Sequence, residues 1–373
     1  MDNYAEMLVT GMRNRGHNVQ LWSPEPVFTK LPMGNFVKKW LGYIDLFLIF
    51  PGKTRIRIKK CNVDTLFVFT DQALGPWVPM VKKYPHVIHC HDFLALSSAI
   101  GEFDENRTSW TGKIYQHFIH RGYLYGRNFI SVSKKTQEQL NRFLQSTPLQ
   151  STVIYNGLRE GFFPYEPKKA RAIIKTQTGI DTSFGYLLHI GGNQWYKNRI
   201  GVIEIYNAWR SNSLLKLPLL LIGDPPSTDL IEIYNQSPFK AQIHFLSGID
   251  DIFLRFAYAG ASVFLFPSFA EGFGWPIVEA MACGCKVITT GEAPMTEVAG
   301  HAGFYISKRP KSSVEIEKWS KICAVVVDEV INLDAVESNA AVQIGIENSK
   351  RFDAGIALNN IENAYREILT QKC

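Results

Sequence analysis

Residues 262–290 read SVFLFPSFAEGFGWPIVEAMACGCKVITT, and the order of residue types here decides the fold. Ser262 to Phe266 is an apolar, β-rich run suited to a buried strand, and Pro267 ends it. Gly272 and Gly274 then allow the backbone to approach a ligand closely. Pro276 suits the first helical position, Gly284 stops the helix, and Val287 to Thr290 reads as the next strand. Strand, loop, helix and strand in this order form the repeating unit of a parallel sheet. The free N–H groups of such a helix start suit a phosphate or sugar hydroxyls. Glu271 in the loop and Glu279, placed in the first helical turn, can face one pocket, where carboxylates accept from sugar and ribose hydroxyls. The alternative is a pair of ordinary carboxylates stabilised by the helix dipole.

The same punctuation extends in both directions. Candidate strands follow at Tyr186 to Ile190, Pro218 to Ile222, Ile243 to Leu246 and Phe304 to Ile306, with helical segments between them. Before them lie Thr65 to Thr70, His86 to Cys90, Phe129 to Val132 and Thr152 to Tyr155. Tyr4, Leu8, Val9 and Met12 share one helical face that stops at Gly16, and Asn18 to Trp22 then reads as a short strand. Gly161 to Pro167 is read as the linker. The stripe Ile356, Ile361, Tyr365 and Ile368 predicts a final helix. Alternation on both sides of a linker predicts two doubly wound α/β units, and ligands of such sheets bind beyond the carboxyl ends of the strands.

Composition narrows the function. The chain has 373 residues, 46% of them hydrophobic and 20% charged, and no apolar run approaches the roughly 20 residues of a membrane span. Its six cysteines lack the paired spacing of a zinc ribbon and the density of a disulfide scaffold, so a reducing cytoplasm is expected. No signal peptide or repeat stands out. The net charge of +6 is too small to name a nucleic acid as partner. It is also unevenly placed: Lys30 to Lys60 carries eight cations against Asp45, leaving the remainder at −1.

The string Glu271-x7-Glu279 within EGFGWPIVEAMACG, followed by a strand and GEAPMTEVAG, closely resembles the donor-binding signature of retaining glycosyltransferases of family 4, which have the GT-B fold. Other pieces match in order: HCHDF around His91, SVSKKT from Ser131, VIYNGL from Val153, HIGGNQWYKN ending at Asn198, LLLIGDPP from Leu219, and LSGIDDIFLRFAYAGASVFLFPS. The resemblance implies Glu271 at the donor sugar hydroxyls and the amides of Gly272, Phe273 and Gly274 at the sugar or diphosphate. It also implies Glu279 on the ribose, Lys197 on the diphosphate, His91 approaching from the acceptor side, and backbone at Ile249 near the nucleobase. Where the family often has an arginine before the lysine, this chain offers only Gly192 and Asn193. Family members open with an apolar strand and a glycine-rich loop, whereas this sequence opens inside the first helix. The expectation is a first sheet one strand short, or a reading frame started late.

Other nucleotide folds lose support. Position 277 is Ile277 where a dinucleotide loop would need glycine, and a phosphate loop GxxxxGK[ST] is absent. No Asp-x-Asp triplet offers metal ligands, so neither metal nor cofactor is expected and side-chain cations and helix ends would do that work. In the basic segment, Lys38, Lys39, Trp40, Arg55 and Arg57 flank an apolar run, Leu41 to Phe50, suited to an anionic leaflet or a lipid-linked acceptor. The alternative is a helix covering the sheet beside a solvated basic loop.

The expectation is therefore an α/β protein of GT-B type with two facing Rossmann-like domains and the active cleft between them. Residues 1–164 plus 353–373 would bind acceptor and residues 165–352 would bind donor. It would be a metal-independent retaining hexosyltransferase moving a hexose from a nucleotide diphosphate sugar, first of all UDP-glucose, to a saccharide or lipid-linked saccharide. It would work in the cytoplasm, with peripheral contact at the inner face of an anionic membrane. The rivals are a sugar-nucleotide epimerase of the same fold and a nucleotide-binding but inactive homologue.

Overall fold

The computed structural model describes residues 2–30 and 34–370, with the backbone only for residues 2, 3, 35, 36 and 39. Among the described residues ten parallel strands form two sheets. The first contains β1 (Phe67–Phe69), β2 (His86–Cys90), β3 (Asn128–Ser131) and β4 (Gln150–Val153), in that spatial order. The second contains β5 (Leu187–Ile190), β6 (Leu219–Ile222), β7 (Ile243–Leu246), β8 (Val263–Phe266), β9 (Val287–Thr290) and β10 (Gly303–Ile306). Its order is β10-β9-β8-β5-β6-β7, so the winding reverses between β8 and β5 and opens a crevice there.

Why the second-sheet strands read as continuous apolar runs is visible in their packing. Leu188, Leu220, Ile222, Phe264 and Phe266 pack into one core, while Leu187, Leu219, Leu221, Val263 and Leu265 pack into the core on the opposite face. Alternate side chains meet helices on both sides, and each fully buried Leu, Ile or Phe stabilises the fold by roughly 1.5–3 kcal/mol.

The ten strands coincide with the runs expected for them, shifted at most two residues at an end. Asn18 to Trp22 does not: it has no ladder partner among the described residues, and its Leu21 is exposed. The Trp22 ring stands 5.9 Å from Phe67, beside the sheet edge. Apolar content favoured extension, but a strand also needs an edge whose amides and carbonyls it can meet in register.

The helix Ala354–Thr370 returns to the first sheet, where Leu358, Ile361, Ala364, Tyr365 and Ile368 pack with Tyr4, Leu8, Met12, Val87 and Ile130. A buried polar contact pins this layer. His89 on β2 is held by the Tyr4 hydroxyl at Nδ1, 2.8 Å away, and by the Tyr365 hydroxyl at Nε2, 2.7 Å away. Burial pushes the His89 pKa down to about 3, so the ring is neutral.

The basic segment is one long helical rod, Asn35–Ile44 and Phe50–Ile58 joined by a π-helical stretch, Asp45–Ile49. Asp45, the lone acid in the apolar run, is buried and accepts from the amides of Val27, Phe28 and Thr29. Burial opposes its charge, but those amides outweigh it and hold the carboxyl below its ordinary range. Among the described residues no helix is long and apolar enough to cross a membrane.

A candidate active site in the domain cleft

Two loops leave the second sheet at its point of reversal, one after β5 and one after β8. The first runs through Gly191, Gly192 and Asn193 into a tight turn, Trp195–Lys197, and then the helix Arg199–Asn212. Asn198 between them adopts a left-handed conformation (φ 53°), which asparagine tolerates better than most residues. Its Oδ1 accepts from the Gly201 amide, capping the helix, and its Nδ2 donates to Pro267 O at 2.9 Å. Asn198 thus ties the two loops together and aims Lys197 into the crevice.

Lys197 and Glu271 meet there directly. Nζ donates to Oε1 at 2.8 Å and Oε2 at 3.0 Å, with only 15% and 7% of the two side chains exposed. The ammonium also stands 5.1 Å from the centre of the Phe266 ring. The groups expected on diphosphate and sugar are therefore partners of one another in the free protein.

Gly274, left-handed with φ 104°, starts the helix Trp275–Ala282 with Pro276 in its opening turn. Glu279 lies fifth in this helix, in its second turn rather than the expected first. It is buried, and Arg159 of the segment after β4 donates to Oε1 through Nη2 at 2.8 Å and Nε at 3.2 Å. The Tyr258 hydroxyl donates to Oε2 at 3.1 Å. Burial raises the Glu279 pKa, with Arg159 pulling against it. Arg159 also pairs with Asp251 at 3.0 Å.

The first domain approaches across the cleft. Gly272 sits so close to His91 that a Cβ there would overlap the His91 carbonyl oxygen. The His91 ring is set by a 2.9 Å contact between Nε2 and Thr70 O and by the edge of Tyr4, centroid to centroid 4.5 Å. Asp92 beside it accepts from the Leu94 amide, and burial pushes its carboxyl up while His91 and Lys197 oppose the shift. Asp71 is a second carboxyl raised by burial, with His91 again opposing.

The remaining expected residues are placed as follows. Asn193 is locked to the β6 loop, its amide donating to Asp224 Oδ2 at 3.1 Å and its Nδ2 to Pro225 O at 2.6 Å. Gly192 adjoins it. Arg199 lies beneath and donates to Asn193 Oδ1 at 2.6 Å, a buried cation close to where sequence reading found none. Ile249 follows β7 and is partly buried against the core. The Phe273 ring is buried against Tyr155 and Phe352, leaving only its backbone for a ligand. His189 Nε2, Ser268 Oγ and the Arg199 Nε and Nη2 are buried without a partner among the described residues. Unmet polar groups of this kind cost about 1–3 kcal/mol each, which ligand or water contacts would offset.

Lys38, Arg55 and Arg57 are exposed, as is Trp40, whereas the Lys39 side chain lies outside the described residues. The structure adds a neighbour to this patch. Phe47 packs on Phe118 at 5.7 Å and Tyr115 at 6.3 Å of the helix Trp110–Tyr123, which exposes Trp110, Ile114 and Phe118. Among the described residues no three His, Cys, Asp or Glu side chains converge as metal ligands.

Residues 1–160 match the family model described as Glycosyltransferase Family 4, and residues 170–318 the model described as Glycosyl transferases group 1. The chain belongs to this glycosyltransferase family. It is 32% identical over 148 residues to O-antigen chain mannosyltransferase B of Escherichia coli, covering 37% of this chain and 39% of that protein. Over 188 residues it is 22% identical to O-antigen chain mannosyltransferase RfbU of Salmonella typhimurium, covering 50% and 48% respectively. The chain spans less than two thirds of the length of the curated relatives it matches, 39% to 64%.

Two solved structures cover nearly all of this family member. WaaG, a glycosyltransferase involved in lipopolysaccharide biosynthesis, superposes with a TM-score of 0.69 at 16% identity, covering 99% of this chain and 96% of that one. Anabaena HepE, solved in complex with UDP and glucose, gives 0.67 at 18% identity, covering 95% and 87%. The fold is GT-B, with the crevice of the second sheet facing the first domain.

The residues missed by sequence reading are Arg159, Asp71, Asp92 and Arg199. Asp92 adjoins His91 in HCHDF and carried a signal of its own. Arg159 carried none, because its partners lie 92 and 120 residues away.

Proposed function

We propose that this chain is a retaining glycosyltransferase that moves a hexose from a nucleotide diphosphate sugar to a hydroxyl of a saccharide or lipid-linked saccharide, in polysaccharide or glycolipid assembly. The observation that carries the reading is the pairing of Lys197 with Glu271 where the sheet reverses, on a loop whose Gly272 lies against the His91 carbonyl. Lys197 neutralises the charge that builds on the leaving diphosphate as the glycosidic bond breaks. Glu271 accepts from sugar hydroxyls once Lys197 turns to the phosphates, and Glu279 accepts from the ribose. His91 faces the sugar from the acceptor side. Catalysis comes mainly from orientation and leaving-group stabilisation, with Lys197 doing the cation work and no metal required.

UDP-glucose is the first donor to test, and the HepE structure, solved in complex with UDP and glucose, supports that choice. A mannose nucleotide is the second, because two relatives are named mannosyltransferases. Calorimetric titration with UDP-glucose and GDP-mannose is expected to give saturable binding by one of them. The Glu279→Ala variant should lose about 10-fold or more in affinity, the scale of hydrogen bonds to a charged acceptor. Binding by neither nucleotide sugar, or equal affinity in the variant, would overturn the assignment. Incubation with and without acceptor separates transfer from epimerisation.

The aromatic face shared by the long rod and the helix Trp110–Tyr123 fits peripheral contact with an anionic leaflet that presents a lipid-linked acceptor. Each basic residue near such a surface contributes about 1 kcal/mol. Replacing Lys38, Lys39, Arg55 and Arg57 by Gln should weaken binding to vesicles containing anionic lipid by about 1000-fold, measured by co-sedimentation. If the parent protein stays in the supernatant, this part of the reading is wrong.

A further inference from the structure

We propose that Glu297 is a positioning residue that clamps the two domains shut over the cleft by completing a helix cap across the interface. The helix Lys134–Phe143 belongs to the first domain, and its own cap, Ser133, serves only the Thr136 amide at 3.0 Å. The amides of Lys134 and Lys135, unpaired within any helix, donate instead to Glu297 of the second domain. The distances are 2.8 Å to Oε2 and 2.9 Å to Oε1. Glu297 lies on the short helix Met295–Ala299 after β9, and the Tyr155 hydroxyl donates to its Oε2 at 3.3 Å. A carboxylate at the positive end of the helix dipole suits the contact electrostatically.

The clamp lies next to the reacting groups. Ser133 Oγ donates to Gly272 O at 2.7 Å, and Thr136 Oγ1 lies 3.2 Å from Gly272 O and 3.3 Å from His91 O. One helix start therefore holds the loop bearing Glu271 against the strand end bearing His91. Its catalytic consequence rests on the donor reading above: closure sets the distance between the acceptor side and the donor sugar. Lys197, Glu271 and Glu279 all belong to the second domain, so the nucleotide's own contacts do not need the clamp.

The test compares the full chain with Glu297→Ala, Glu297→Gln and the control Lys311→Gln. Lys311 makes an exposed interdomain pair with Asp104 at 2.6 Å, and such pairs contribute little. In Glu297→Ala the radius of gyration from small-angle scattering should increase, and exchange at the Lys134 and Lys135 amides should accelerate about 10-fold or more. Turnover number should fall about 10- to 100-fold, the scale of a misplacement near 1 Å, with affinity for UDP or GDP within about 3-fold of the parent. Glu297→Gln keeps one acceptor oxygen and should fall between parent and alanine variant, and it carries the test if the alanine variant does not fold. Lys311→Gln should match the parent.

Unchanged scattering and exchange in both Glu297 variants would overturn the clamp. Unchanged turnover in a variant whose domains have opened would overturn its positioning role. If the parent transfers no sugar from any nucleotide, the donor reading fails while scattering and exchange still decide the clamp.

Discussion

Lys197→Ala is expected to lower glycosyl transfer by about two to three orders of magnitude, the range for removing a preorganised group that stabilises leaving-group charge. Steady-state kinetics with saturating donor should place most of the loss in turnover number, because the charge on the diphosphate is greatest in the transition state. A second effect follows from the ion pair. Removing the lysine leaves the Glu271 carboxylate, whose side chain is 7% exposed, without its cation. Breaking a buried pair in this way destabilises by about 3–5 kcal/mol, whereas replacing both partners by apolar groups is often neutral. Urea unfolding should therefore find Lys197→Ala less stable than Lys197→Met combined with Glu271→Leu, although transfer is expected to be impaired in both. Equal turnover in parent and Lys197→Ala would remove the phosphate role. A double variant no more stable than the single one would show that the pair is not buried in solution.

Gly272→Ala is the second large effect. The added methyl would collide with the backbone carbonyl of His91, and backbone has no flexible end to yield. Relief requires the two domains to part or the loop carrying Glu271 to shift, and either displaces the reacting groups. Transfer should fall about 100-fold. Thermal stability should change less than for a core substitution, since each domain keeps its own apolar core. Gly272→Ala with parental turnover would mean that the catalytic state does not use this close approach.

Much of the fold was legible because its determinants are local. Leu219–Ile222 could only be a strand buried on both faces, and Pro267, Gly274, Pro276 and Gly284 punctuate the chain around β8 and the helix after it. The failure at Asn18 to Trp22 is instructive, since its apolar content was readable but the lack of a ladder partner among the described residues was not. In the site, Glu271 and Glu279 were found from their string, whereas Arg159 had no neighbour in the chain to betray it.

What the amino-acid sequence determined by itself is the alternation of strand and helix, the two parallel units, and the loop that carries Glu271 to the end of β8. These follow from apolar periodicity and from Pro and Gly, whose effects act within a few residues. Only the tertiary structure decided which polar groups meet. Lys197 with Glu271, Arg159 with Glu279 and the backbone amide of Lys134 with Glu297 are separated by 74, 120 and 163 residues. A hydrogen bond is made or lost within about half an ångström, and such distances are set by how two sheets and their helices dock. The chemistry of each group is written in the chain; its partner is written in the packing.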